Sequence, residues 1–175
     1  MHEAVFHIPA GVTITEDSNE VFTVKGTKGT LSRRFYHPAI SIEIADGTVT
    51  IKTESTRRSV LALVGTYNAL LHTMTKGVTE GYEYHMKIVF NHFPIQVKVQ
   101  PERVEIANFL GEKQPRYAKI VEGVKVKLNG DELVLTGIDR ESIGNTAANV
   151  EQACKVRHRD PRVFQDGIYI TSRGN

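Results

Sequence analysis

Hydrophobic and polar positions alternate along the chain in a pattern that occurs twice. Ile40, Ile42 and Ile44 point one way and Ser41 and Glu43 the other. After a tight turn, Val49 and Ile51 oppose Thr48, Thr50 and Lys52. Period-2 alternation of this kind predicts strands wet on one face and buried on the other. A polar stretch follows, then Val60, Leu63, Val64, Tyr67, Leu70 and Leu71 at the spacing of an amphipathic helix. The same order returns from Val124 to Cys154: alternating strand, turn, alternating strand, polar stretch, helix. Val49 aligns with Leu133 and Ile51 with Leu135, an offset of 84 residues.

The turns are expected at Asp46-Gly47 and Asn129-Gly130, dipeptides suited to two-residue hairpins whose central residues need positive φ. Further strand pairs are expected upstream of each copy, over Val12–Lys25 and Pro94–Ala107. Ser55 or Thr56 is expected to cap the first helix and Gly77 to stop it. The second helix presents Ile143, Ala147, Val150 and Cys154 on one stripe, with Asp139 as its cap. The fold class that follows is α+β: two similar tandem domains, each an antiparallel β-sheet packed by one α-helix, produced by internal duplication. The boundary is expected within Thr75–Tyr82, giving domains 1–78 and 79–175 joined by a short, stiff link.

Composition narrows the function. The chain has 175 residues, 40% hydrophobic and 24% charged, which suits a globular protein. No apolar run is long enough to span a membrane, and no leader pattern is visible at the start. A single cysteine, Cys154, forms no internal disulfide, which fits a reducing cytoplasm. The net charge of +2 is unevenly spread. Residues 1–76 carry +1, residues 77–153 carry −2, and the last 22 residues carry +3. A local cationic surface on a nearly neutral body suits phosphate binding.

Candidate chemistry is sparse. Val24–Phe35 has glycines at 26 and 29 but no Gly-Lys-Ser/Thr and no following helix pattern, so it reads as a β-turn rather than a nucleotide loop. It can still serve as an exposed basic finger, with Lys25, Lys28, Arg33 and Arg34 near a polyanion. Seven histidines lack the paired spacing of a metal site, so no metal or other cofactor is expected. Cys154 sits on an apolar stripe, and no nucleophile elbow occurs, so nothing demands an enzyme. Asn108–Ile120 reads as a connection between strands: either a hairpin loop with solvated charges, or an RNA-contacting loop using Lys113, Arg116, Tyr117 and Lys119. At the end of the chain, Lys155, Arg157, His158, Arg159 and Arg162 surround Asp160-Pro161. Phe164 and Ile168-Tyr169-Ile170 follow, residues that a disordered tail rarely carries. They are expected to clamp the segment onto the second domain and display its arginines to phosphate oxygens.

Six stretches then carry a family resemblance: "IPAGVTI", "FTVKGTKGTLSRRF", "KGVTEGYEYHMKIVFNHFPI", "VEIANFLGEK", "TGIDRESIGNTAANVEQACKV" and "RDPRVFQDGIYI". In this order they resemble large-subunit ribosomal protein six of the archaeal and eukaryotic type, from about Ile8 to Ile170. The resemblance implies two similar α+β domains and a non-catalytic protein, one copy per ribosome, located in the cytoplasm. It implies binding of large-subunit rRNA through the second domain, near the sarcin–ricin loop and the docking region of translational GTPases, among neighbouring ribosomal proteins. Carried onto this chain, the rRNA-binding residues are Lys113, Lys155, Arg157, Arg159, Arg162 and Tyr169. Arg116, His158 and Arg173 join them on charge and location alone, and Lys25, Lys28, Arg33 and Arg34 form a possible second contact. The alternative reading is a non-ribosomal protein-interaction module on the same duplicated fold.

Overall fold

The computed structural model describes residues 2–17, 19–45 and 47–174. Two compact units divide the chain, Met1–Gly81 and Tyr82–Asn175. The first contains strands β1 (His2–His7), β2 (Thr13–Glu16), β3 (Val21–Lys25), β4 (Thr30–Arg34), β5 (Ser41–Ala45) and β6 (Thr48–Thr53), then helix α1 (Arg58–Thr79). The second repeats this order with β7 (Tyr82–Val89), β8 (Gln96–Val99), β9 (Arg103–Ala107), β10 (Arg116–Lys119), β11 (Lys125–Asn129), β12 (Glu132–Gly137) and α2 (Arg140–Ala153). It then adds a strand, β13 (Gly167–Ser172).

The α+β duplication is thus present, with each unit's strands divided between two antiparallel sheets. These are β1-β6-β5 and β2-β3-β4 in the first unit, and β11-β12-β7-β13 and β10-β9-β8 in the second. One helix packs against both sheets of its unit: α1 on β1, β6, β3 and β4, and α2 on β7, β12, β13 and β10. The alternating patterns supply the cores. Val49, Ile51, Phe22, Val24 and Leu71 are fully buried in the first unit; Leu133, Leu135, Met86, Ile106, Ile143 and Ile168 are fully buried in the second. Burying each such side chain contributes about 1.5–3 kcal/mol.

The register reproduces the 84-residue offset, since Ala45 pairs with Thr48 and Asn129 with Glu132. The second turn nevertheless differs from expectation. Because Asn129 is the last paired residue of β11, the loop is Gly130-Asp131, and Gly130 takes the positive φ of +62°. Of the first turn, Gly47 has φ +73° and Asp46 lies outside the described residues.

Helix α1 corrects two further expectations. Its N-cap is Arg57, with no side-chain cap; Ser55 Oγ only accepts from the Arg57 amide. Gly77 does not stop it. Gly77 and Val78 are buried within the helix, which runs to Thr79 with Glu80 as its C-cap; Gly81 follows in the left-handed region at φ +75°. Packing explains the overrun: an alanine Cβ at Gly26 would lie 2.6 Å from the Val78 side chain, so the β3–β4 turn sits directly on this last helical turn. At α2 the expected cap holds, with Asp139 accepting from the amides of Glu141 and Ser142. Among the described residues, no helix is long and apolar enough to cross a membrane.

Candidate nucleic-acid interface

The segment after α2 is folded, and its anchor is a buried acid. Asp166 is 1% exposed and accepts from the amides of Asn91 (3.0 Å) and His92 (3.1 Å), with His92 Nδ1 at 2.8 Å. Burial alone pushes its carboxyl up, but these bonds, the His92 ring first, hold it below the ordinary carboxylate value. The His92 ring stacks on Phe164 at 4.5 Å, and the Arg159 guanidinium lies over the other aromatic partner of this stack, Phe164, at 4.8 Å. Ile168 and Ile170 pack into the core beyond it, and β13 pairs antiparallel with β7 from Gly167↔Val89 to Ser172↔His85. Phe164, Ile168 and Ile170 therefore clamp the segment as expected, whereas Tyr169 faces outward and Val163, 58% exposed, takes no part.

The cations fall into two groups. Lys113, Lys155, Arg157, His158 and Arg159 are exposed. Arg116 bonds both Glu112 and the Lys155 carbonyl, which places the loop carrying Lys113 beside the start of the tail. His158 holds a left-handed backbone, φ +58°, at the bend that turns the chain back. Arg162 is 88% exposed yet forks onto Asp160 at 2.9 Å, so its charge is partly matched.

Arg116 is committed elsewhere. Asn108–Ile120 is only partly a loop, because Arg116–Lys119 is strand β10 paired with β9. From there the Arg116 guanidinium lies over the Phe109 ring at 4.3 Å and forks onto Glu112. It also donates to the carbonyls of Ala153 (2.9 Å) and Lys155 (3.0 Å), closing the end of α2. The Arg116–Glu112 hydrogen bonds hold the Glu112 carboxyl low and the guanidinium pKa high. Charge on a sequence does not distinguish such a rivet from a free contact. Arg173 is not brought to the cluster either. It follows the far end of β13, about 20 Å of strand from Gly167.

The remaining tail candidate, Tyr169, is 42% exposed. Its hydroxyl donates to the Gln165 carbonyl at 2.9 Å, and it pairs across the sheet with Lys87, an exposed cation that the sequence did not single out. The alternating burial of β7 leaves Lys87 outward, and the β13–β7 pairing puts it beside Tyr169. Cys154 lies beneath this surface, 3% exposed, its thiol pushed up to about 12 by burial.

In the first unit, Lys28 and Arg34 of the expected basic finger have partners of their own. The Lys28 amide donates to Val78 O at 2.8 Å and its ammonium to Glu80 O, so this residue closes the end of α1. Arg34 lies 3.8 Å from Glu20 and over Tyr36, Arg33 is half-buried, and Lys25 is exposed. No group of three or more potential metal-ligating side chains occurs among the described residues.

Comparison with known proteins agrees with this architecture. A family-wide sequence model described as ribosomal protein L6 matches twice, at residues 8–81 and 93–167. The large ribosomal subunit protein uL6 of Methanocella arvoryzae is 54% identical over 95% of this chain and 94% of its own length. That of Methanospirillum hungatei is 53% identical over 98% and 97%, and that of Archaeoglobus fulgidus 45% identical over 98% and 89%. With both copies matched in order and the likeness running almost end to end, the chain belongs to the ribosomal protein L6 family.

Proposed function

We propose that this chain is a structural, non-catalytic constituent of the large ribosomal subunit that grips large-subunit rRNA with its second unit. The ridge consists of Lys113, Lys155, Arg157 and Arg159, with Arg162 at its margin. Its site is the neighbourhood of the sarcin–ricin loop, where translational GTPases dock, alongside other large-subunit proteins in the cytoplasmic ribosome. The observation that carries this reading is the clasp. Asp166, His92 and Phe164 hold a +3 segment in one conformation, so its cations meet phosphates without first losing the entropy of a flexible tail.

The test is binding to large-subunit rRNA across a salt series. Each phosphate contact contributes about −0.9 to the slope of log affinity against log salt. Arg159→Ala is expected to weaken binding and flatten that slope by about one contact, and the full chain to co-sediment with large subunits at moderate salt. A protein that stays in the soluble fraction even at low salt overturns the proposal. An unchanged slope removes Arg159 from the ridge. Footprinting on assembled subunits decides the neighbourhood, since protection confined to rRNA away from the sarcin–ricin loop refutes that placement.

A further inference from the structure

A cleft of about 390 Å³ opens between the end of α2 and the returning tail. That volume lies within the range of small-ligand sites. Pro161, Phe164 and Tyr169 form its walls, while Glu151, Gln152 and Lys155 stand on its rim. Tyr169 is unusually well fixed for an exposed aromatic. A Cβ on Gly167 would lie 3.0 Å from the ring, so the ring rests on bare glycine backbone while its hydroxyl is tied to Gln165. One side is thus supported, while the residue as a whole keeps 42% exposure.

We propose that this cleft receives a single unpaired nucleobase of the rRNA, stacked on Tyr169. The inference rests on the rRNA-binding reading above and adds an occupant to it. Three features select a base over a peptide side chain. A supported aromatic face suits a planar π-system. Lys155 on the rim and Lys87 beside Tyr169 supply charge for the flanking phosphates. The Glu151 carboxylate and Gln152 amide meet polar base edges, and because the carboxylate only accepts, the base presents an N–H edge there.

The experiment measures the affinity of the full chain for large-subunit rRNA, with chemical probing of base reactivity in the complex. Tyr169→Leu keeps an apolar residue on β13 but removes the π-face, and is expected to lose about 10-fold in affinity. The salt slope stays that of the parent, because no phosphate contact is removed. Tyr169→Phe is expected to bind within a few-fold of the parent. One unpaired base, protected in the parent complex, becomes reactive with Tyr169→Leu alone. Parent-like affinity and base protection with Tyr169→Leu overturn the inference while leaving the function standing. So does an equal loss with Tyr169→Phe, which assigns the effect to the hydroxyl tether. Absence of salt-dependent binding by the parent overturns the function itself. The buried Cys154 thiol, unreactive while the unit is folded, verifies each variant; if Tyr169→Leu unfolds, Tyr169→Met replaces it with the same expected outcomes.

Discussion

The two copies of the fold solve the same structural problem with different hardware at matching places. Each helix has its C-terminal carbonyls closed by a cation from the region of the third and fourth strands. Lys28 does this for α1 from the turn before β4, and Arg116 does it for α2 from the start of β10. The copies differ at one sheet edge. Among the described residues, β1 pairs only with β6, whereas its counterpart β7 pairs with both β12 and β13. The duplicated scaffold is therefore common to both copies, and the cationic ridge, Lys113 apart, belongs to what the second copy adds after its helix.

The sharpest way to break this comparison is to remove the anchor of the added strand. Ile168 is fully buried and has no counterpart in the first copy. Ile168→Ala is expected to cost the second unit about 3 kcal/mol. Because Cys154 is the chain's single cysteine and is buried in the same core, its labelling rate reports on that unit. If labelling proceeds through opening of the unit, that cost makes it roughly 100-fold faster. An unchanged rate would mean that β13 is an ornament on a self-sufficient sheet, and the two copies would then be energetically alike.

A second comparison sets the two helix-closing cations against each other. Arg116 is largely covered, with four side-chain hydrogen bonds and a ring beneath it. Arg116→Ala leaves an acid and two carbonyls without this partner and is expected to cost about 2 kcal/mol. Lys28 is exposed, so Lys28→Ala is expected to cost about 0.5 kcal/mol. Urea unfolding midpoints separate the two; equal losses would contradict the distinction between a covered rivet and a solvated cap.

Most of the duplication was legible in the sequence because alternation and helical spacing are written among near neighbours. Val49 and Ile51 announce their core face locally, and so do Leu133 and Leu135. What stayed hidden depends on partners far along the chain. Gly77 reads as a stop until the β3–β4 turn is known to press on Val78. Arg116 looks like any loop cation until β10 brings it to the end of α2. His92 looks isolated until Asp166 arrives from 74 residues away. The tail's clamping residues were visible from their apolarity, but apolarity does not name the strand they join, so Lys87 was missed.

A stability effect smaller than those of Ile168→Ala and Arg116→Ala tests that last junction. The Asp166 carboxyl is held below its ordinary value in the folded protein, so it releases its proton more readily there than in the unfolded chain. The sign follows: its contribution is fully present above the unfolded pKa of about 3.9, and is lost as pH falls through that value and then through the lower folded one. Asp166→Asn keeps an acceptor for the backbone amides but cannot titrate, so it loses only the charged part of the clasp, about 1 kcal/mol at pH 7. Its disadvantage against the parent is expected to shrink between pH 5 and pH 2, read as Cys154 exposure in urea at each pH. The clasp works through this buried acid only if the two proteins converge on acidification. A constant gap would shift its stability to the Phe164–His92 stack, and the second copy would then hold its added strand by packing alone.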